Sequence, residues 1–387
     1  MYRRIDVDED DAQYQRILWR NDPTEDIKEY FCSTVMFGTS SAPFTAIRTM
    51  HQLANDEGIK YPLAVDVIKY EMYVDDILSG GESIERAQEL QRQILAMLHS
   101  GTFQLRKWAA NNPKLLENVP TEHKATHGVL HLNAKETIKT LGLSWNPATD
   151  NFEFNLNFKI PSGAATKRSI LSTTARLFDP LGWLNPVIVT AKIIMHQLWS
   201  LKLGWDTPVP DGIQTPWKRF IEELPNISQI RLPRWLDTGA TNPAKELHVF
   251  CDASTLAYSA TAYLQVRDEG GKWCTSLLPK ITIPRAELCG ALLAAKLVQF
   301  LQKHLRLPID HSRILFWTDT MIVLGWIRGD PNRWKIFVSN RIHKILEVSE
   351  QGQWRYVASE DNPADCSSRG LSSLKLAQHQ LWWRGPF

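Results

Sequence analysis

Phe250-Cys251-Asp252-Ala253-Ser254 closes an apolar run that begins at Leu247. Aromatic and aliphatic residues giving way to an acid and then to small polar residues predict a buried strand, over 247–252, with a carboxylate at its end. Further acidic signatures follow in order: Pro284-Arg285-Ala286-Glu287-Leu288, Trp317-Thr318-Asp319-Thr320 and Asn362-Pro363-Ala364-Asp365-Cys366. Around them, 257–266 and 273–280 read as two more consecutive strands and 284–305 as a long amphipathic helix. Residues 313–318 read as a strand, 321–327 and 333–348 as helices, and 354–358 as a strand, with Asn362 opening a last helix. Each acid thus falls at the end of a strand or on a helix.

Taken singly, such acids read as solvated surface. Taken as four they need another account, because gathered carboxylates repel. Divalent cations remove that cost, and hard oxygen donors suit Mg2+ or Mn2+. Two ions about 4 Å apart suffice for phosphodiester cleavage, one activating water and the other stabilising the leaving oxygen.

Upstream, 15–19 and 30–35 read as strands, and 42–54 has helical spacing of Phe44, Ile47, Met50 and Leu53. Residues 71–78 form a strand pair folded at an acidic tip, after which Ser83 caps a helix to about Leu98. Further strands are expected at 103–108 and 140–145. The stretch 160–236 turns helical: 167–178 stops at Asp179-Pro180, 187–201 is strongly apolar, and Pro216 is placed in the first turn of a helix through Glu223. Residues 237–243 read as a polar linker.

The chain has 387 residues, enough for two or three domains, with 43% hydrophobic and 22% charged residues. Net charge is only +2, so any phosphate contact must come from local clusters such as Lys167-Arg168, Arg106-Lys107 and Arg231 with Arg234. Five cysteines form no CxxC pair, which argues against zinc and a disulfide framework. Of fifteen tryptophans, most are expected in cores or interfaces and some on bases. No apolar run approaches a membrane span and the charged start lacks a signal-peptide core, so an intracellular, non-secreted protein with no membrane partner is expected.

Tyr73-Val74-Asp75-Asp76 is a second acidic signature. With Phe37-Gly38-Thr39-Ser40-Ser41-Ala42-Pro43-Phe44 before it, and Phe103-Gln104-Leu105-Arg106-Lys107-Trp108 and Leu141-Gly142-Leu143 after it, it resembles the polymerase palm of reverse transcriptases. That resemblance implies Asp75 and Asp76 as catalytic metal ligands. It also requires an acid just before a segment like Met1-Tyr2-Arg3-Arg4-Ile5, and Asp6, Asp8, Asp10 and Asp11 fall on the wrong side of it. A partial palm that does not extend a primer by itself is expected.

The four C-terminal acids resemble the ribonuclease H domain of retroelement polyproteins over roughly 125 residues. The resemblance implies Asp252, Glu287, Asp319 and Asp365 as catalytic residues and metal ligands for two Mg2+ (or Mn2+) ions. It implies an RNA–DNA hybrid as substrate, read by backbone shape and the 2′-hydroxyl. Many ribonucleases H carry a histidine before the last acid, but Ser359-Glu360-Asp361-Asn362 has none; proton transfer or product release is then slower, or Glu360 substitutes. The nearest histidine, His343, reads as structural.

Thr166-Lys167-Arg168-Ser169-Ile170-Leu171-Ser172, Arg176-Leu177-Phe178-Asp179-Pro180-Leu181-Gly182-Trp183 and Thr282-Ile283-Pro284-Arg285-Ala286-Glu287-Leu288-Cys289-Gly290 are similar to the Bel/Pao class of LTR retrotransposons. The fold class implied is α/β (α+β): a partial palm over 1–150, a helical thumb or connection over 151–240, a ribonuclease H-like mixed sheet flanked by helices over 241–372, and a linker toward an integrase over 373–387. Template–primer nucleic acid and other parts of the Pol polyprotein (integrase, fingers) are the implied partners, in a cytoplasmic virus-like particle or the nucleus. Two rival readings are a non-catalytic nucleic-acid-binding remnant and a Pao-type aspartic peptidase using Asp237 of Leu236-Asp237-Thr238-Gly239-Ala240. The peptidase needs a second lobe and a flap, and the strand beginning at Leu247 leaves no room for them.

Overall fold

The computed structural model describes residues 1–125, 138–140, 143–154, 163–177, 179–236, 244–267, 273–278, 282–283, 287–304 and 309–386. The chain divides into two compact units, 1–141 with 145–150 and 142–144 with 151–387. Each is described by itself.

In the first unit the helix Ala42–Asp56 buries Ala42, Ala46, Met50 and Ala54, one residue per turn along a single stripe. Ser83 accepts the Arg86 backbone N–H at 3.1 Å and starts the helix Ile84–Ser100, which buries Ile94, Met97 and Leu98. Ile5, Val35, Val67, Ile68 and Phe103 complete this core. The acidic hairpin is present but short: Met72–Tyr73 pairs with Asp76–Ile77 around Val74, which has φ 55°. Arg16–Trp19 and Lys28–Phe31 form an antiparallel ribbon with every residue exposed. The strand expected over 103–108 does not form. Thr102 and Lys107 take left-handed φ values of 64° and 58°, which break the pleat, and Trp108 makes only an isolated bridge to Lys124.

The second unit is built on one mixed sheet. Strand β1 (Lys245–Ala253) pairs antiparallel with β2 (Tyr258–Arg267), and β2 with β3 (Trp273–Leu277). On the other side of β1 runs β4 (Ile314–Thr318), parallel to it, and β5 (Trp354–Tyr356) lies parallel to β4. The order is β3-β2-β1-β4-β5. Its helices are α1 (Lys167–Ala175), α2 (Asn185–Ser200), α3 (Asp211–Glu223), α4 (Glu287–His304), α5 (Met321–Arg328), α6 (Ile336–Leu346), α7 (Asp365–Arg369), α8 (Ser373–Ala377) and α9 (Gln380–Arg384). Leu247, Val249, Cys251 and Phe316 face α4, α5 and α6. Phe250, Tyr263 and Leu277 on the opposite face pack against Trp183, Val187, Ile194 and Trp382. Both faces are covered, which is why the central strands are buried at successive positions instead of alternating with solvent-facing residues.

Three further expectations meet a different structure. Pro216 lies inside α3, not in its first turn; Pro210 takes the N-cap position, with its carbonyl accepting the N–H groups of Ile213 and Gln214 at 2.9 Å. The boundary expected at about 240 is not marked by any break in the core, which runs from the α2 region onto the sheet. The tail over 373–387 is no mere linker in its described part. Trp382 is fully buried, its indole N–H donates to the Trp183 carbonyl at 2.9 Å, and its carbonyl accepts the Tyr263 hydroxyl at 2.7 Å. Among the described residues no helix is long and apolar enough to cross a membrane.

Candidate active site

The parallel register places Thr318 beside Cys251. One residue further on, Asp252 and Asp319 leave neighbouring strands at the same end of the sheet. Glu287 is exposed in the first turn of α4. That turn touches β1 closely: a Cβ built on Gly290 would stand 3.0 Å from the Asp252 carbonyl oxygen. Only a glycine admits this approach without a shift.

Asp365 opens α7, which polar bonds pin to the ends of β1 and β2. The Asn362 amide donates to the Cys251 carbonyl at 3.0 Å, and the Ser259 hydroxyl to the Ala364 carbonyl at 2.7 Å. The Ser367 hydroxyl donates to Ser259 Oγ at 2.9 Å, and Ser254 Oγ to the Ser368 carbonyl at 2.7 Å. Ser368 Oγ itself donates to the Asp252 carboxylate. None of these contacts is legible in sequence, since each joins residues more than a hundred positions apart.

Burial pushes the Asp252 carboxyl up to about 6. The Ser368 bond opposes this, while the negative charges of Asp319 and Asp365 add to it and Arg369 opposes it. Cys251 is raised mainly by burial, and Asp252, Asp319 and Glu287 all push it in the same direction. The four acids therefore bear on one end of the β1–β4 pair. They are not arranged as a ready ligand set: among the described residues no group of three or more His, Cys, Asp or Glu side chains is placed to hold a metal ion. Asp365 is paired with Arg369 along its own helix, and Asp319 accepts the Ser359 hydroxyl at 2.8 Å. Ser359 is the polar contact supplied by the loop that lacks a histidine. Glu360 in that loop and His343 on α6 are both exposed.

Elsewhere, Asp75 and Asp76 are exposed at their hairpin tip. Lys167 is no surface cation: it is buried with Nζ 3.5 Å from the Trp199 ring centroid, and Arg168 pairs with Asp206 at 2.7 Å. Asp237 and the turn at Leu141-Gly142 lie outside the described residues.

An antiparallel trio extended by two parallel strands, with helices on both faces and acids at one end, is an α/β fold of the RNase H-like kind. Residues 166–320 match the family described as Pao retrotransposon-like RNaseH-like domain, a match that supports a Pao-class retrotransposon Pol fragment. The matched stretch takes in α1 to α3 together with Asp252, Glu287 and Asp319, and ends before Asp365. No curated protein matches the chain.

Proposed function

We propose that the second unit is a metal-dependent ribonuclease that cuts the RNA strand of an RNA–DNA hybrid. Asp252, Glu287, Asp319 and Asp365 are the residues that would hold two Mg2+ (or Mn2+) ions. The observation that supports this reading is that Asp252 and Asp319 follow paired positions of β1 and β4, while the helices carrying Glu287 and Asp365 both touch β1 at Asp252. The donor set fits the ions: hard carboxylate oxygens, with like-charge repulsion at Asp252 that a divalent cation offsets. When bound, the ions would supply an activated water and a stabilised leaving oxygen.

The chain's own residues do the rest. Ser359 steadies Asp319 by hydroxyl donation, and Arg369 balances Asp365. Hybrid recognition then rests on backbone shape and the 2′-hydroxyl, in keeping with a net charge of only +2. In the same reading the first unit is reverse-transcriptase palm sequence, with Asp75 and Asp76 as its metal-holding pair. The order of its motifs and the acidic hairpin tip support this. Integrase, fingers and template–primer would be its partners within Pol.

The test is cleavage of a labelled RNA–DNA hybrid by the whole chain with Mg2+. Internal cuts in the RNA strand are expected, and none with a chelator. Asp252→Asn should slow them by on the order of 10²–10³-fold or more. Asp237→Asn and Asp75→Asn should leave cutting intact. Cutting that survives Asp252→Asn, or needs no metal, would sink the proposal.

A further inference from the structure

We propose that Ser368 is a positioning residue that holds one oxygen of the Asp252 carboxylate so that the other stays directed at the neighbouring acids and any cation among them. This rests on the nuclease reading above and adds to it a residue outside the four acids.

Ser368 is fully buried and its Oγ donates to Asp252 Oδ2. The same hydroxyl lies 3.1 Å from the Asp365 carbonyl, the ordinary bond of a helical serine to its preceding turn. One proton cannot serve both acceptors, and a carboxylate is a stronger acceptor than a backbone carbonyl, so Asp252 takes it. Asp252 is thus given a donor from the helix that starts at Asp365. Asp365 and Ser368 stand three positions apart on α7, on neighbouring faces of a single turn. One turn of helix therefore sets the spacing between two proposed ligands, Asp365 directly and Asp252 through the hydroxyl.

That spacing has meaning only if α7 cannot slide. A buried polar seam prevents it. Asn362, Ser259 and Ser367 are fully buried, and their bonds, with that from Ser254 to the Ser368 carbonyl, tie α7 to both β1 and β2. Directional bonds specify register in a way that apolar contact does not, because a shifted helix leaves their donors unpaired in a dry layer. Without the Ser368 hydroxyl, Asp252 keeps its place on β1. Its carboxylate, repelled by Asp319 and Asp365, is then at liberty to change rotamer.

The measurement is calorimetric titration of the whole chain with Mn2+, without nucleic acid, alongside thermal melting without metal. Ser368→Ala should weaken Mn2+ binding about tenfold, the scale on which removing a ligand's hydrogen-bond partner acts. Ser368→Thr, which keeps a hydroxyl, should restore most of it. Ser367→Ala removes an equally buried hydroxyl of the same seam that does not touch Asp252; it should lower the melting temperature and weaken Mn2+ binding clearly less than Ser368→Ala does. If Ser368→Ala does not fold, Ser368→Cys, with its weak donor, gives the same comparison. Unchanged affinity in the Ser368 variants, or equal weakening by Ser367→Ala, overturns the positioning role while the nuclease reading stands. A wild-type chain showing no Mn2+ uptake that Asp252→Asn abolishes overturns the nuclease reading, and this inference with it.

Discussion

Asp75 and Asp76 stand on a hairpin made of Met72–Tyr73 and Asp76–Ile77, exposed at its tip. Asp252 and Asp319 stand at the ends of strands buried on both faces, and Asp365 on a helix bolted to β1 and β2 by buried serines and an asparagine. The same residue type is presented in two ways. A tight turn shows an acid to solvent with a few local contacts. A layered sheet brings acids that are distant in sequence to one place, and the cost is a set of long-range bonds that must all form. The contrast extends to the aromatic residues: the ribbon Arg16–Trp19 with Lys28–Phe31 leaves Trp19 56% exposed, whereas Trp382 in the second unit is 0% exposed.

The largest effect is expected where that contrast is greatest. Trp382→Ala should cost about 3–5 kcal/mol of stability, from lost burial and the cavity left behind. Its indole also donates to the Trp183 carbonyl, so truncation strands that acceptor in the core. Trp19→Ala should stay within about 0.5 kcal/mol, as surface changes do. Urea unfolding of both variants checks this. Equal losses would mean that the ribbon is covered in solution and that the two regions are less different than they look.

What was legible in the sequence follows the same division. Strands β1 and β4 with their terminal acids could be read because apolar runs ending in an acid are local patterns. So was the Ser83 cap, whose partner Arg86 lies within one turn. Gly290, Ser359 and Ser368 gave no local signal; their roles exist only once α4 and α7 meet β1. Trp382 reads as linker from sequence because its partners, Trp183 and Tyr263, lie far upstream. Pro216 reads as a first-turn residue because that is where proline costs least, yet α3 carries it in its interior and begins after Pro210. Local rules find elements; they do not find what presses against them.

Gly290 sharpens the comparison at a single atom. A methyl there meets the Asp252 carbonyl oxygen at 3.0 Å, so Gly290→Ala must move the first turn of α4 by a few tenths of an ångström. Alanine's better helix propensity, about 1 kcal/mol, offsets part of the clash, and net stability should change by no more than about 1–2 kcal/mol. If Glu287 is a ligand, hybrid cleavage should fall about threefold to tenfold even so, because small misplacements near reacting groups are costly. Gly325→Ala, where a Cβ meets nothing within 4 Å, is the control and should leave cleavage unchanged. A Gly290→Ala enzyme as active as wild type would show that the α4 contact holds the fold and nothing more.

The smallest effect separates two aspartates that do the same local job. Asp22, in the first unit, accepts the Thr24 hydroxyl and N–H, and those donors lower its carboxyl below 3.8. Asp179, in the second, accepts the N–H groups of Trp183 at 2.9 Å and Leu184 at 2.8 Å, yet burial outweighs these donors and Lys192 and pushes it up to about 6. The signs of their pH effects are therefore opposite. Asp22 is exposed, and whatever it contributes is present above 3.8 and lost as pH falls through its lowered value. Asp179 binds its proton more tightly folded than unfolded. Its contribution is complete below 3.8 and declines as pH rises from there through about 6. The difference sets a ceiling of about 3 kcal/mol, and because Asp179 is only partly buried about 1–2 kcal/mol is expected. Unfolding free energies measured from about pH 4 to pH 7 should fall less steeply in Asp179→Asn than in wild type. Asp22→Asn should show no such flattening. If Asp179→Asn kept the wild-type slope, burial would not be what governs that carboxyl, and its hydrogen-bond donors would rule it as the Thr24 hydroxyl and N–H rule Asp22.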